Sequence, residues 1–402
     1  MSDLTISDLG TLFDGPHATP TRIDAGPYFL NISSLNHGRL DLQHSDHVSE
    51  EDFAKWTKRV VPAEGDLLFS YETRLGEAAL MPAGIRACLG RRMALIRPDR
   101  TIVDPRFLLY YYLGPEFQRM IEQHTIHGAT VNRISLSTMG SWPVHLPSLP
   151  EQLAIAEVLG ALDDKIAANS RLIAKLGEVL EASFTSLCGN HEQMVPFSEI
   201  ATITKGVSYR SADLCDSSTA LVTLKSFDRN GGYSLRGLKD YSGPFKPAQQ
   251  IRPGELVVAQ TDLTQAAEVV GRAVRVPRAP GYEKLVASLD LAIVRPRQDI
   301  PVEFLLGVML QGRFRAHCRS RTSGTTVLHL ASDAIPSYQA PVVPKEVQDR
   351  YSSVARPMLQ LRDSLEYEID SLESTRDALL PQLVSGQLRV KDAEIVLEKA
   401  GV

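Results

Sequence analysis

The feature that most constrains the fold of this 402-residue chain is repetition. Gly65-Asp66-Leu67-Leu68 returns as Gly254-Glu255-Leu256-Val257. Arg97-Pro98, followed by Asp104, Pro105, Phe107, Leu108 and Leu109, returns as Arg295-Pro296, followed by Asp299, Pro301, Phe304, Leu305 and Leu306. GATVN at 128–132 returns as GTTVL at 324–328, Pro147 as Pro344 and Gly189 as Gly386. These last three pairs lie 196, 197 and 197 positions apart. So many matches in one order at a near-constant offset mark a tandem duplication. A chain this long exceeds one ordinary hydrophobic core. Each copy therefore needs its own core, built from about 150 residues of mixed character and followed by about 40 of helical character.

Within the mixed parts, YFLNISSL at 28–35 and ALVTLKSF at 220–227 alternate apolar and polar positions, as half-buried strands do. Asn230-Gly231-Gly232 reads as a turn. Residues 104–124 and 302–318 carry helical spacing.

The segments that follow are rods. In 151–187 the positions Ile155, Leu159, Leu162, Ile166, Asn169, Ile173, Leu176, Leu180, Ser183 and Leu187 alternate steps of four and three, a coiled-coil heptad. Ser148 and Glu151 have capping-box spacing, and Gly189 suits a C-terminal stop. About 37 residues make a rod of about 55 Å. The second rod, 346–385, shows Val354, Met358, Leu361, Leu365, Leu372 and Leu379 on its stripe. Pro357 lies inside it and is expected to kink or break it into two helices, and Gly386 ends it. Each rod has one narrow stripe to hide, and packing one rod against the other hides both.

The net charge of −5 weighs against a uniformly basic protein, but it is an average. Residues 1–150 hold 14 Lys+Arg against 17 Asp+Glu, whereas 191–345 hold 19 against 14. The rods are acidic. Thirteen of the nineteen cations in the second mixed domain are arginine, the residue suited to bidentate phosphate and guanine contacts. Clusters stand at RAVRVPR (272–278) and at Arg313, Arg315, Arg319 and Arg321. The four cysteines are scattered without CxxC spacing, which predicts neither a disulfide framework nor a thiolate zinc site. The start MSDLTISDLG is not signal-like, and no apolar run reaches the ~20 residues of a membrane helix, so a cytoplasmic protein without membrane contact is expected.

Catalytic signatures are missing. There is no GxxxxGK[ST] loop, no GxGxxG after a strand, no NPPY-like tetrapeptide, no HExxH and no GxSxG. His124 and His127 have i, i+3 spacing but lack partners for a metal set. Asp163-Asp164-Lys165 resembles a nuclease fragment, yet the heptad puts it on the polar face of the first rod, where charge solvates a helix. No catalytic residue and no metal site are assigned.

LPSLPEQLAIAEVLGALDDKIAANSRLIAKL (146–176), STRDALLPQLVSGQLRV (374–390), GDLLFS (65–70) and the two glycine-threonine turns resemble the specificity subunit of type I restriction-modification systems. The resemblance implies an α+β fold: two tandem mixed α/β target recognition domains separated by two long antiparallel coiled-coil helices. It places the first recognition domain at 1–147, the spacer helices at 148–190 and 345–390, the second recognition domain at 191–344, and a tail at 391–402. Each domain is then expected to read one half of a bipartite target in double-stranded DNA, with the helices setting the unread spacer. Two modification (methyltransferase) subunits and restriction (translocase and nuclease) subunits are the implied partners. S-adenosylmethionine, ATP and Mg²⁺ would reside on those partners and no cofactor on this chain. A rod of about 55 Å exceeds the ~34–36 Å between successive major-groove faces on one side of a duplex.

The candidate DNA-contacting residues of the first copy are Tyr71, Arg74, Arg91, Arg92, Thr130, Asn132 and Arg133. Those of the second are Lys205, Arg210, Lys225, Gln260, Arg319, Arg321, Thr325 and Thr326. A scaffold of a methylation-only or other phage-defence system fits the same pattern. The enzyme-class rival is a self-contained duplicated nuclease or methyltransferase.

Overall fold

The computed structural model describes residues 4–16, 18–36, 38–43, 45–128, 131–189, 191–227, 232–263, 267–297 and 299–400. The first copy contains strands β1 (Gly10–Asp14), β2 (Ile23–Leu30), β3 (Leu67–Ser70), β4 (Ala78–Leu80), β5 (Ala87–Leu89) and β6 (Met93–Pro98). Helices α1 (Pro105–Leu113) and α2 (Pro115–Gln123) follow, then a short hairpin of β7 (Thr125–Ile126) and β8 (Arg133–Ile134). Its main sheet runs β1-β6-β3-β4, all antiparallel, and β2 pairs in parallel with β5. The residues of β3 are buried without exception, as a central strand covered on both faces must be. Proline opens both short helices, where its missing N–H costs nothing, and Asp104 caps the first through its contact with Phe107 N at 2.9 Å.

The long helix α3 spans Leu149–Cys188. Its entry is the predicted capping box: Ser148 N and Oγ both donate to the Glu151 carboxylate, at 3.0 and 2.6 Å.

The second copy repeats the plan with β9 (Ala201–Lys205), β10 (Thr219–Val222), β11 (Leu256–Ala259), β12 (Thr261–Asp262), β13 (Ala273–Arg275), β14 (Lys284–Ala287) and β15 (Leu291–Pro296). Helices α4 (Val302–Leu310) and α5 (Gly312–Arg319) come next, then β16 (Thr322–Ser323) and β17 (Leu328–Leu330). The main sheet is β9-β15-β11-β13, and β10 pairs in parallel with β14. In the main sheet and the parallel pair the connectivity is that of the first copy, so the duplication seen in the sequence is a duplication of fold.

The second long helix, α6, runs unbroken over Lys345–Val384, and α7 covers Val390–Ala400. The expectation that Pro357 would interrupt α6 is corrected. Proline removes one N–H, and the carbonyl it would have bonded belongs to Ser353. Ser353 and Pro357 both lie on the exposed face, where that carbonyl is open to solvent, while Tyr351, Ala355 and Leu359 on the other face are locked in the second copy's core.

The chain divides into two compact units. One comprises Met1–Lys165 with Glu373–Val402, the other Ile166–Leu372. In the first, Arg376 meets Asp163 at 2.8 Å; in the second, Asn169 Nδ2 donates to Glu368 at 2.9 Å and Tyr351 lies against Phe184 edge-on. As α3 advances its partners on α6 retreat, so the two helices pack antiparallel. Ile155, Leu159, Leu162, Ile166, Asn169 and Leu180 on α3 and Leu365, Leu372 and Leu379 on α6 are buried. Ile173 and Leu176 are half-buried. Leu361, expected on the seam, is 44% exposed. In its region the buried stripe steps by four through Tyr351, Ala355 and Leu359, and two residues beyond Leu359 is about 200° round the helix. The α3 stripe drifts likewise, ending on Phe184 and Cys188 rather than on Ser183 and Leu187.

Asp163 and Asp164 do more than solvate their helix. Tyr110 Oη donates to Asp163 at 2.6 Å, Arg376 pairs with it, and Arg106 spans Asp164 (2.7 Å) and the Gly160 carbonyl (3.0 Å). They tie α1 and α6 to α3 inside the first unit. Among the described residues no helix is long and apolar enough to cross a membrane.

Candidate nucleic-acid interface

In the first copy the chain turns out of β3 at Tyr71. Its backbone N donates to Arg92 O, its carbonyl accepts from Ile134 N, and Thr73 N donates to Asn132 O. Glu72 bridges to Arg133. These bonds bring three predicted pieces to one edge of the domain: the turn at Arg91-Arg92, the β7–β8 hairpin with Asn132 and Arg133, and the loop after β3. Arg91, Asn132 and Arg133 are exposed there. Arg92 is 30% exposed and pairs with Glu72 at 3.4 Å. A cleft of about 400 Å³ beside them is lined by Thr73, Gln118, Glu122, Thr125, His127 and Asn132, so it offers polar donors and acceptors.

Two candidates of this copy face inward instead. Tyr71 is 6% exposed, its hydroxyl donates to Arg91 O, and burial pushes it up to about 12. It orients the Arg91-Arg92 turn from within. Arg74 donates to the carbonyls of Ile32 (3.0 Å) and Leu35 (3.1 Å) and pairs with Glu77 (3.0 Å), so its guanidinium braces neighbouring backbone. Thr130 lies outside the described residues.

The second copy builds the matching edge from a three-stranded sheet, β12-β17-β16. Gln260 enters it by backbone alone, donating to Asp290 O and accepting from Leu330 N, while its side chain is half-buried. Thr325 and Thr326 are exposed in the turn between β16 and β17. Arg321 is exposed and contacts His317 and Ser320 on the preceding helical turn. Lys205 is exposed at the end of β9, opposite Ala292 and so close to Asp290. Arg210 and Lys225 are exposed in turns flanking β10, outside that three-stranded sheet.

Arg319, also a candidate by sequence, is engaged with the protein: Nε and Nη2 both donate to the Ala267 carbonyl, at 3.0 and 2.6 Å. Arg315 donates to Glu268 O at 2.6 Å and Arg272 Nε to the same carbonyl at 2.6 Å. Burial and the nearby Arg272 and Arg319 pull Arg315 down to about 10. Arg275, in the basic run 272–278, pairs with Asp363 of α6. Arginine count alone does not separate these inward roles from outward ones. The signal that does is the repeat offset: Gln118 and Arg315 stand 197 positions apart, the offset of the Pro147/Pro344 pair, and both face the loop after the third strand of the main sheet's own copy.

Burial also holds the thiols of Cys88, Cys188 and Cys318 well up, at about 12, 11 and 12, which leaves no reactive thiolate there. His124 caps α2 against Met120 O and packs on Trp142, and His127 faces Asn132. No three His, Cys, Asp or Glu side chains among the described residues gather as a metal site.

Residues 7–178 match the profile of the type I restriction modification DNA specificity domain. A putative type I restriction enzyme MjaX specificity subunit of Methanocaldococcus jannaschii is 23% identical over 189 residues, 44% of this chain and 43% of that protein. The type I restriction enzyme MjaVIII specificity subunit of the same organism is 18% identical over 365 residues, 85% of this chain and 83% of that one. The chain thus aligns with less than half the length of the first relative and most of the second. The solved S subunit of a type I restriction-modification system from M. genitalium shares the fold, with a TM-score of 0.56 at 17% identity over 95% of this chain and 96% of that one. Residues 7–178, the first copy with most of the helix that follows it, thus carry the type I restriction modification DNA specificity domain, and the main sheet of that copy is built a second time further along the chain.

Proposed function

We propose that this chain reads a bipartite, asymmetric DNA sequence, one half with each copy, and carries the modification and restriction subunits that act there. The observation that carries the reading is the duplicated fold, each copy presenting a polar and basic edge and each followed by a 40-residue helix. Two different domains on one chain read two different half-sites, so the target is asymmetric. Phosphate contacts from exposed arginines such as Arg91, Arg133 and Arg321 fix register, and Asn132, Thr325 and Thr326 supply base-edge hydrogen bonds. The chain itself catalyses no step. S-adenosylmethionine, ATP and Mg²⁺ belong to the partner subunits.

Genome-wide mapping of methylated adenine, with and without this protein, tests the reading. The expected result is a two-part motif that disappears when the gene is removed. A methylome indifferent to the gene overturns it. So does cleavage or methylation of DNA by the pure chain given Mg²⁺ and S-adenosylmethionine, which would favour a self-contained enzyme.

A further inference from the structure

The loops after the third strands, 71–77 in the first copy and the described residues 260–263 and 267–271 in the second, share three unusual features. Each holds a non-glycine residue at positive φ, Thr73 at 71° and Ala267 at 51°. Such backbone persists only where the surroundings over-determine it. Each loop also ends in a glycine pressed against the second short helix. A Cβ on Gly76 (φ 86°) would lie 2.3 Å from Gln118 Oε1, and one on Gly271 (φ 76°) would lie 2.6 Å from Cys318 Cβ. Finally, each helix reaches out to a loop carbonyl. Gln118 Nε2 donates to Gly76 O at 3.2 Å, and Arg315 Nη2 to Glu268 O at 2.6 Å, with Arg319 adding two bonds to Ala267 O.

The two clamps occupy equivalent places in the repeat but use different side chains. An amide on a four-atom reach serves the shorter loop, and guanidinia serve the longer one. What both copies keep is a donor from α2 or α5 fixed on the loop's backbone, which positions the loop.

We infer that Gln118 and Arg315 are positioning residues that hold these loops as the sequence-reading elements of their domains, each governing one half of the target. The inference rests on the proposed function and adds the division of labour to it. The loops add base discrimination to that of Asn132, Thr325 and Thr326, while affinity rests on arginines elsewhere on the same edge. Loosening a clamp therefore broadens one half-site and leaves the other half, and the electrostatic attraction to phosphate, as they were.

The test uses the complete complex in cells, with Gln118→Glu and Arg315→Gln. Glu keeps the shape of Gln but replaces the donor with an acceptor facing a carbonyl. Adenine methylation is mapped for each variant. In the expected result the motif of Q118E is relaxed in one half, with about a tenfold or greater loss of discrimination there, and R315Q relaxes only the other half. Arg315→Lys, which restores a donor, recovers the second half. Where a variant stops methylation, the purified complex is titrated against duplexes carrying single base changes in one half or the other, over a range of salt. A selective loss of discrimination at an unchanged salt slope supports the clamp. Equal relaxation of both halves, or a uniform fall in affinity with discrimination intact, overturns it. A wild-type methylome without any motif dependent on this chain overturns the proposed function instead, so the two failures are told apart.

Discussion

Two glycines in helices, Gly177 and Gly307, make opposite predictions from the same substitution. Replacing helical glycine by alanine gains roughly 1 kcal/mol of helix propensity, because glycine loses more backbone freedom on folding. A Cβ on Gly177 in α3 meets nothing within 4 Å, so Gly177→Ala is expected to stabilise the chain by about that amount. A Cβ on Gly307 in α4 lies 2.5 Å from Phe184 Cδ2 and 2.8 Å from both Cε1 and Oη of Tyr351. Neither ring can swing away. Phe184 is 0% and Tyr351 1% exposed, and the two rings pack edge to face at 5.2 Å. With contacts this short against two rings that cannot move, overpacking costs about 2–3 kcal/mol, the upper part of its usual range and more than the propensity gain. Gly307→Ala is therefore expected to lose about 1–2 kcal/mol, and the two variants to differ by roughly 2–3 kcal/mol. Urea titration of the full chain, followed by circular dichroism, reads this as midpoints moving in opposite directions. A rise for both variants would show that the α3–α4–α6 junction has room for a methyl group, and the argument from close packing would fail.

Other outcomes follow from the helix pair and the edge. Leu372→Ala should cost about 2–5 kcal/mol and Leu361→Ala less than about 0.5 kcal/mol, which urea midpoints separate, since only the first side chain is buried. Burial, opposed by Arg362, pushes the Glu366 carboxyl above its ordinary 4.5. A raised folded-state value means that stability is fullest below pH 4.5 and is drawn down as pH climbs through the raised value. Glu366→Gln keeps an acceptor for Tyr233 N, and its stability relative to wild type should improve from pH 4 towards neutrality; a constant difference across that range refutes the assignment. Arg133→Ala should weaken binding of the complex to its mapped duplex and lower the slope of log affinity against log salt by about 0.9, the signature of one lost phosphate contact.

Much of the fold was legible in the sequence because repetition and periodicity are properties of the whole segment, insensitive to any one residue. The offset predicted two copies, and their main sheets proved identical in order. The heptads predicted that the two rods pair, and the family resemblance that they run antiparallel, with Ser148 and Glu151 marking the start of the first. Single-residue expectations fared less evenly. Pro357 breaks a helix only if the carbonyl it abandons is buried, and exposure is not written in local sequence. Leu361 left the seam because a real helix has 3.6 residues per turn, and packing chose the four-step stripe. At the edge, residue type predicted charge but not direction. Arg74, Arg275 and Arg319 have the same chemistry as Arg91 and Arg133, yet they face backbone carbonyls or a carboxylate. Only the pairing of Gln118 with Arg315 across the repeat hinted at this, and it needed the loops to be seen before it meant anything.

The composition of the first compact unit has a consequence for biosynthesis. It needs Glu373–Val402 as well as Met1–Lys165, with Leu379 and Leu383 buried and Arg376 on Asp163. The second unit is made entirely of residues 166–372. As the chain leaves the ribosome, the unit begun first must wait, its share of α3 uncovered, until residues 373–402 emerge. The domain synthesised second is complete before then. Order of appearance and order of completion are thus reversed, and a ribosome stalled near residue 372 would display a finished second unit beside an unfinished first one.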